Sequence, residues 1–565
     1  MTTLIARPHR VRDTGTRHQW LSTAYLRLMM LMLMFLGIGT LIGGRLLWLG
    51  AFGDPPRRGY IGSTFVPARG DIVDRNGVPL ARTIDAWSVG VHPDRLLGDP
   101  EDLAPQLARL MPEKSEAEYL AILRSGKSFT YLRRRALPEL VSAVNALGEP
   151  AMAFAREPER LYPQTTLAAH VLGYTDFDGH GVIGMEKVLD KVLTDPATRS
   201  TPAMLSIDSR VQAAMESELY AAMTRHSALG ATGLVLDVDT GEVLALASLP
   251  VFNPNKFGNS PDEARRNNVT QSVYELGSTF KPLTIAQAID GGVVNSMAKR
   301  YDATAPVAIG RFRIKDDHPS GRWLNVPETL IHSSNIVTAR IADEMGQARM
   351  EDLFHKLGFA AAPAIDLREK GFPLYPRNWG RATTLTTAYG HGIAVTPLHL
   401  ASAYAALVNG GVLRPATVLK LDKDHVPKGR RVFTESTSAR MRQLLRMVVM
   451  DGTGRKGDAV GFRVGGKTGT AEKPGIGGYS KRVNVSTFAA AFPMDRPRYV
   501  VIAMLDAPKG TAETFGLTTA AWTAAPVVSK VIARTGPMLG VIPDEKKDVD
   551  VSDLTPLIWK AKGEE

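Results

Sequence analysis

The pattern of hydrophobic and polar positions changes along this chain, and its first distinct feature is a long apolar run. Residues 28–44 carry no charge, and as a helix these 17 residues span about 25 Å. Apolar residues at 25–26 and 46–49 extend the run toward the roughly 30 Å thickness of a hydrocarbon core. The pattern predicts a membrane-spanning helix over residues 25–50.

Charges near the start of this helix predict its orientation. One aspartate, Asp13, stands against five arginines: Arg7, Arg10, Arg12, Arg17 and Arg27. The positive-inside rule then makes residues 1–24 a basic cytoplasmic tail and puts the rest of the chain outside the cytoplasm. The apolar run is too long for a signal peptide and no small-residue cleavage site follows it, so we expect an uncleaved anchor.

Residues 51–219 mix short helical and extended patterns. The first part, 51–66, is rich in Gly, Pro and Arg and predicts a stalk. Asn76-Gly77 between extended runs predicts a tight turn, and helical patterns follow at 103–111, 116–123 and 184–192. Because no group of acids, histidines or glycines here suggests its own chemistry, we interpret residues 51–219 as a structural, partner-binding domain.

After residue 206 the extended runs become more apolar. A helix is predicted around 210–224, followed by a hairpin of strands at 232–237 and 242–247. Two later runs, 483–492 and 499–506, predict neighbouring strands. We expect a second domain over residues 220–540 and a C-terminal tail over 541–565.

Composition sets outer limits on function. The 565 residues suggest two or three domains. The net charge is +11, but the basic residues are spread along the chain without interleaved aromatic residues, which argues against nucleic-acid binding. The absence of cysteine excludes disulfides and thiol catalysis. Residues 461–468 fit the spacing of a nucleotide-binding P-loop, but Gly469 and Pro474 oppose the helix that such a loop requires. We therefore expect no bound nucleotide or other cofactor, and we expect no metal because no metal-ligand spacing appears in the sequence.

Candidate chemistry begins at Ser278 and Lys281. If Ser278 opens a helix, Lys281 lies one turn along on the same face, and an adjacent base is what activates a serine hydroxyl. Ser296 and Lys299 repeat the same spacing, so the pattern alone is weak. Ser278 differs because Gly277 precedes it and an apolar helical run follows.

Two further motifs make the Ser278 and Lys281 pattern more specific. Ser333-Ser334-Asn335 lies 55 residues after Ser278, and Lys467-Thr468-Gly469-Thr470 begins 189 residues after it. Each triplet is common alone. Their order and spacing together match the motif set of penicillin-binding proteins and serine β-lactamases. The site of this set needs no imidazole, so we expect packing or loop roles for the histidines at 332, 391 and 399.

Over nearly its whole length the chain resembles the class B penicillin-binding proteins, most closely their FtsI-type division transpeptidases. Beyond the three motifs, the resemblance rests on Arg69-Gly70, on Asp74 to Gly77, and on residues 247–250, 252–255, 274–277, 395–404 and 452–454. One departure is Leu276, where the family has proline in a Tyr-Glu-Pro-Gly segment.

The resemblance implies an α+β multidomain fold. Its expected parts are one N-terminal transmembrane helix, an elongated α+β pedestal domain and a C-terminal transpeptidase domain. The expected transpeptidase domain has a five-stranded antiparallel sheet flanked by helices, as in serine β-lactamases. The implied reaction crosslinks peptidoglycan stem peptides ending in D-Ala-D-Ala, through an acyl-enzyme that β-lactams trap.

Residue roles follow from the same resemblance. Ser278 is the expected nucleophile, Lys281 its base and Ser333 a proton relay. Asn335 is expected to hold the substrate amide, and Lys467, Thr468, Gly469 and Thr470 to form an edge strand that binds the peptide and its carboxylate. Backbone N–H groups of Ser278 and Thr470 complete an oxyanion hole. Lys281 must be neutral, and we expect burial and the charge of Lys467 to lower its pKa.

The resemblance also implies a partner protein and a cellular location. The resemblance suggests a SEDS-family, FtsW-type glycosyltransferase as partner, because no glycosyltransferase region is visible before residue 220. It places the chain in the bacterial inner membrane as a single-pass protein with a periplasmic catalytic domain. The alternatives are an elongation-type class B transpeptidase, a β-lactamase or β-lactam sensor, and a non-enzymatic scaffold.

Overall fold

A computed structural model describes residues 14–52, 68–310, 312–475 and 478–559. The chain divides into two units, Met1–Val66 and Pro67–Glu565. The described part of the first unit is helix α1, Thr14–Phe52. Its segment Tyr25–Arg45 is long and apolar enough to cross a membrane, with a mean hydropathy of 2.0. This agrees with the predicted apolar helix, whereas residues 1–13 of the predicted tail and 53–66 of the predicted stalk lie outside the described residues.

The second unit begins with a mixed sheet. Its strands are β1 Ile72–Val73, β2 Pro79–Val91, β3 Thr130–Ala136, β4 Met152–Leu161 and β7 Ala203–Met204. Helices α2 Pro100–Leu110, α3 Glu116–Leu123 and α4 Pro138–Asn145 pack against it over a separate apolar core. Ser115 and Glu118 form a capping box at the start of α3, which explains where that helix begins. The predicted helices at 103–111 and 116–123 are confirmed.

A small hairpin and three short helices complete this region. They are α5 Ala169–Leu172, β5 Tyr174–Thr175, β6 Gly181–Ile183, α6 Gly184–Val188 and α7 Asp190–Thr194. The helix predicted over 184–192 is thus two short helices rather than one.

A buried ion cluster joins three distant parts of this region. Glu186 in α6 has no exposed surface and accepts hydrogen bonds from Arg69 Nε and Arg160 Nε, each at 2.7 Å. Arg69 also donates to Asp190 at 2.8 Å, and the Tyr162 hydroxyl donates to Glu186 at 3.2 Å. Because one carboxylate serves two guanidinium groups, the segment before β1, the end of β4 and α6 are held together.

The turn predicted at Asn76-Gly77 connects this region to the next. Asp74 accepts hydrogen bonds from the backbone N–H of Asn76 and from both the N–H and hydroxyl of Ser209. Asn76 in turn donates to Asp208 at 3.1 Å. Burial opposes ionisation of Asp74, but a hydrogen bond from the backbone N–H of Val78, together with those from Ser209 and Asn76, outweighs it and holds the pKa of Asp74 below the usual value. The start of helix α8, Ser209–Arg225, is therefore tied to the turn.

An antiparallel five-stranded sheet forms the centre of the remaining chain, in the order β16-β17-β18-β8-β9. These strands are β8 Gly230–Asp237, β9 Val243–Leu249, β16 Gly465–Gly475, β17 Gly478–Phe492 and β18 Tyr499–Asp506. Helix α8 and helix α17, Ala524–Thr535, pack over one face. Because helices cover both faces, β9 and β18 are almost wholly apolar and buried. The hairpin and strand predictions are confirmed.

The other face of the sheet carries a larger helical layer around α10, Lys281–Asp290, which is buried over its first eight residues. The other helices of this layer are α9 Asp262–Arg265, α11 Val326–Ile331, α12 Asn335–Met345, α13 Gln347–Lys356, α14 Arg381–Thr387, α15 Pro397–Val408 and α16 Glu435–Asp451. Short strand pairs lie at its rim: β10 Arg300–Asp302 with β13 Trp323–Asn325, β11 Val307–Ile309 with β12 Phe312–Ile314, and β14 Val412–Leu413 with β15 Arg430–Arg431.

The described part of the predicted C-terminal tail packs against the domain. Leu554 is 1% exposed, and Asp548 accepts a hydrogen bond from Arg446 at 2.8 Å. The backbone N–H of Trp559 donates to Glu328 at 3.0 Å. The sequence pattern does not reveal this packing because the segment is irregular and its partners lie more than 100 residues away.

We expect Glu186→Gln to lower the free energy of unfolding by about 3–5 kcal/mol, because it removes the carboxylate that buried Arg69 and Arg160 share, and only Arg69 has Asp190 as a further partner in this cluster. Urea denaturation of the full chain in detergent measures this change. The control is Glu101→Gln, which removes the exposed partner of Arg124 and should leave stability nearly unchanged. Equal losses in the two variants would contradict a structural role for the cluster.

Candidate active site

Ser278 lies in a short 3-10 turn, Gly277–Phe280, that leads directly into α10. The turn presses against the edge strand β16. A Cβ atom on Gly469 would lie 2.4 Å from the carbonyl oxygen of Leu276, and Gly277 has a positive φ of 53°. Both positions therefore require glycine, since a side chain would collide with backbone at one and strain the backbone at the other. The two glycines hold the partly buried Ser278 beside the strand.

Lys281 is fully buried at the start of α10. Its Nζ donates to the carbonyl oxygen of Ser333, and to the Ser333 hydroxyl at 3.0 Å. Burial lowers the pKa of Lys281 to about 7, against the opposing charges of Asp316 and Asp317. A substantial fraction of this amine is therefore neutral near pH 7 and able to take a proton.

Ser333 is held in an unusual backbone conformation, with φ at 58°. The next residue, Ser334, caps α12 by accepting from the backbone N–H of Val337 at 3.1 Å. Asn335 is the first residue of α12 and donates from Nδ2 to the carbonyl oxygen of Lys315 at 2.9 Å. The cap and this contact fix the turn, which directs both oxygen atoms of Ser333 at Lys281.

Asp316 supports this turn, and sequence reasoning missed it. Its carboxylate accepts from the Ser334 hydroxyl at 2.7 Å and from the backbone N–H of Ile336 at 2.9 Å. The only signal in the sequence is the charged run Lys315-Asp316-Asp317, which belongs to no motif.

Lys467 is also fully buried, on β16. Its Nζ donates to the carbonyl oxygen and hydroxyl of Thr468, at 3.0 and 3.2 Å. Burial, and then repulsion from Lys281, lowers the pKa of Lys467 well below its usual value. We expected burial and repulsion from Lys467 to lower the pKa of Lys281. Burial does lower it, and the two buried amines repel each other when both are charged.

The hydroxyls of the edge strand contact two residues outside the three motifs. Thr468 and Thr453 bring their hydroxyl oxygens to 2.8 Å. The Thr470 hydroxyl accepts from the backbone N–H of Ala520 at 3.1 Å. Thr453 lies in the segment 452–454 that the sequence analysis noted, whereas nothing near Ala520 suggested a place beside the strand.

The repeated Ser296/Lys299 pattern and the P-loop spacing at residues 461–468 have other roles in the structure. Ser296 lies in a loop, and its neighbour Lys299 pairs with Glu344 at 2.5 Å. Residues 465–475 form strand β16 instead of the helix that a P-loop requires. His399 is buried beside the carbonyl oxygen of Ala361, and burial lowers its pKa to about 4. His399 therefore has a packing role.

Two family models match the chain. The penicillin binding protein transpeptidase domain matches residues 231–530, which hold the whole site, and the penicillin-binding protein dimerisation domain matches residues 64–194. The chain belongs to the class B penicillin-binding proteins. The resemblance found in the sequence and the fold class that it implied are confirmed.

Individual relatives agree with this family. The chain is 42% identical over 484 residues to the probable peptidoglycan D,D-transpeptidase FtsI of Caulobacter vibrioides, covering 84% of this chain and 82% of the relative. It is 33% identical to the probable peptidoglycan D,D-transpeptidase PenA of Neisseria meningitidis, covering 85% and 86%. The crystal structure of penicillin binding protein 3 from Mycobacterium tuberculosis, complexed with aztreonam, matches with a TM-score of 0.66 and 26% identity, over 85% of this chain and 98% of that one.

We expect the rate at which this penicillin-binding protein is acylated by a penicillin to rise with pH and level off above about pH 7. Below that value the neutral fraction of Lys281 falls about tenfold per pH unit. Stopped-flow measurement with a fluorescent penicillin between pH 5 and 9 gives the profile. Lys281→Arg, whose side chain stays charged, should be acylated very slowly at every pH. A flat wild-type profile would rule out Lys281 as the base.

Proposed function

We propose that this chain is a peptidoglycan D,D-transpeptidase of the FtsI type, which crosslinks stem peptides at the division septum. The observation that carries the proposal is the buried amine of Lys281, hydrogen-bonded to Ser333 and one turn from Ser278. An amine with a pKa of about 7 is suited to take a proton from a serine hydroxyl at neutral pH. The relatives named FtsI and PenA support the same chemistry.

In the first step Ser278 attacks the penultimate carbonyl of a D-Ala-D-Ala stem, and Lys281 takes the hydroxyl proton. The developing oxyanion is bound by the backbone N–H groups of Ser278 and Thr470. Loss of one such donor typically costs about 3–4 kcal/mol of transition-state stabilisation. Ser333 relays the proton from Lys281 to the departing D-Ala amine, which the hydrogen bond between these two side chains supports. The product is an acyl-enzyme ester on Ser278.

The edge strand binds the donor peptide. β16 is the outer strand of its sheet in the described residues, so its backbone is available to pair with an extended peptide. Lys467, Thr468 and Thr470 receive the terminal carboxylate, and Gly469 lets the Ser278 turn approach the strand. An incoming carboxylate favours the charged form of Lys467. Asn335, at the start of α12, holds the substrate amide.

The apolar helix Tyr25–Arg45 supports a single-pass anchor. We propose that it lies in the inner membrane with residues 1–24 cytoplasmic and the catalytic domain periplasmic. Domains over 51–219 and 220–540 then serve as pedestal and transpeptidase, and the pedestal and anchor bind a SEDS-family, FtsW-type glycosyltransferase.

A labelled penicillin should form a stable adduct with Ser278, and Ser278→Ala should lose the label entirely. Ser296→Ala is the matched control, because it removes the serine of the repeated pattern, and it should label like the wild type. Mass mapping of the adduct identifies the residue. Label on Ser278→Ala would refute the assignment, and rapid release of hydrolysed penicillin would indicate a β-lactamase. In cells, depletion should give filaments, whereas rounding would indicate elongation.

A further inference from the structure

The loop between β12 and β13 lies directly against the turn that contains Ser333. The Lys315 carbonyl oxygen accepts from Asn335, and the Asp316 carboxylate accepts from Ser334 and from the backbone of Ile336. These three hydrogen bonds, all 2.7–2.9 Å long, place the following residue, Asp317, beside the Ser333 turn.

Asp317 differs from Asp316 in how its carboxylate is used. Both hydrogen bonds from the turn go to Asp316, whereas the Asp317 side chain is exposed to solvent. Asp317 nevertheless interacts electrostatically with both Lys281 and Lys467. Because Asp317 directly follows Asp316, which is bound to the turn, its exposed carboxylate lies next to the Ser333 turn, and its charge acts on both buried lysines.

The second half of the proposed reaction needs a group of this kind. After D-Ala leaves, an amine of another stem peptide must reach the ester on Ser278. A primary alkyl amine has a pKa near 10.4 and arrives at neutral pH as an ammonium. An exposed carboxylate beside the Ser333 turn attracts such a cation, whereas a buried lysine repels it whenever that lysine is protonated.

We propose that Asp317 binds the ammonium group of the acceptor stem peptide and orients it toward the acyl-enzyme. This proposal rests on the proposed transpeptidase function. The ammonium loses one proton to solvent, and one remaining N–H donates to Asp317. The amine lone pair attacks the ester carbon, so that a C–N bond forms, the bond from carbon to Ser278 Oγ breaks, and a second amine proton passes to Oγ. Because water is uncharged, Asp317 should not favour hydrolysis of the acyl-enzyme.

Asp317→Asn removes the charge and keeps the size of the side chain. We expect kcat/KM for an amine acceptor to fall roughly tenfold to a hundredfold, the range for losing one charge-assisted hydrogen bond. Hydrolysis of the acyl-enzyme and acylation by a penicillin should change less than about twofold. Asp317→Glu should recover part of the loss. Asp424→Asn, which removes another exposed carboxylate of this domain, is the control and should behave like the wild type.

The assay uses the full chain in detergent, a thioester donor ending in D-Ala, and a stem-peptide acceptor with a free side-chain amine. The ratio of aminolysis to hydrolysis is measured with rising acceptor and at two salt concentrations. Salt should weaken the acceptor preference of the wild type and have little effect on Asp317→Asn.

Each outcome decides the proposal. An unchanged ratio in Asp317→Asn overturns it. A change confined to acylation, with its pH profile shifted to lower pH, also overturns it, because Asp317 then acts only by raising the pKa of Lys281. A fall in aminolysis with unchanged acylation and melting temperature supports it. If the wild type is neither acylated by penicillin nor active on the thioester, the proposed function fails before the role of Asp317 is reached.

Discussion

Burial of the Lys281 amine is the constraint on which the site depends. A charged amine without exposed surface is costly, so the protein must either supply partners for it or let it lose its proton. The structure does both: two oxygen atoms of Ser333 accept from Nζ, and burial brings the pKa to about 7. The strained φ of Ser333 has a structural reason, because it directs both the carbonyl and the hydroxyl of Ser333 to the Lys281 amine.

This requirement extends outward through the fold. Ser333 keeps its conformation because Ser334 caps α12 and Asp316 binds the turn. On the opposite side, the edge strand approaches Ser278 closely because Gly469 has no side chain. The strand itself is held by a sheet with helices on both faces. A second buried lysine, Lys467, also has a pKa well below its usual value. A substrate carboxylate that enters the cleft favours protonation of this amine.

The region before the sheet depends on a different buried charge. Glu186 joins Arg69 and Arg160, and Asp74 joins the adjacent turn to the start of α8. In the sequence, Arg69-Gly70 and Asp74 to Gly77 carry part of the family resemblance, but no mechanism for them is visible there. The contacts give one, because these residues connect the mixed sheet, the short helices and the catalytic domain.

The apolar helix, the hairpin and strands, the three motifs and the family could all be predicted from the sequence, because each of these leaves a local pattern or a fixed spacing. The sequence also predicted that Lys281 needs burial. Other features are visible only in the folded chain: Asp316 and Asp317 lie beside Ser333, Thr453 and Ala520 contact the edge strand, and residues up to 559 pack on the domain. These features arise from contacts between distant segments and from the solvent that those contacts exclude, and neither leaves a periodicity in the chain.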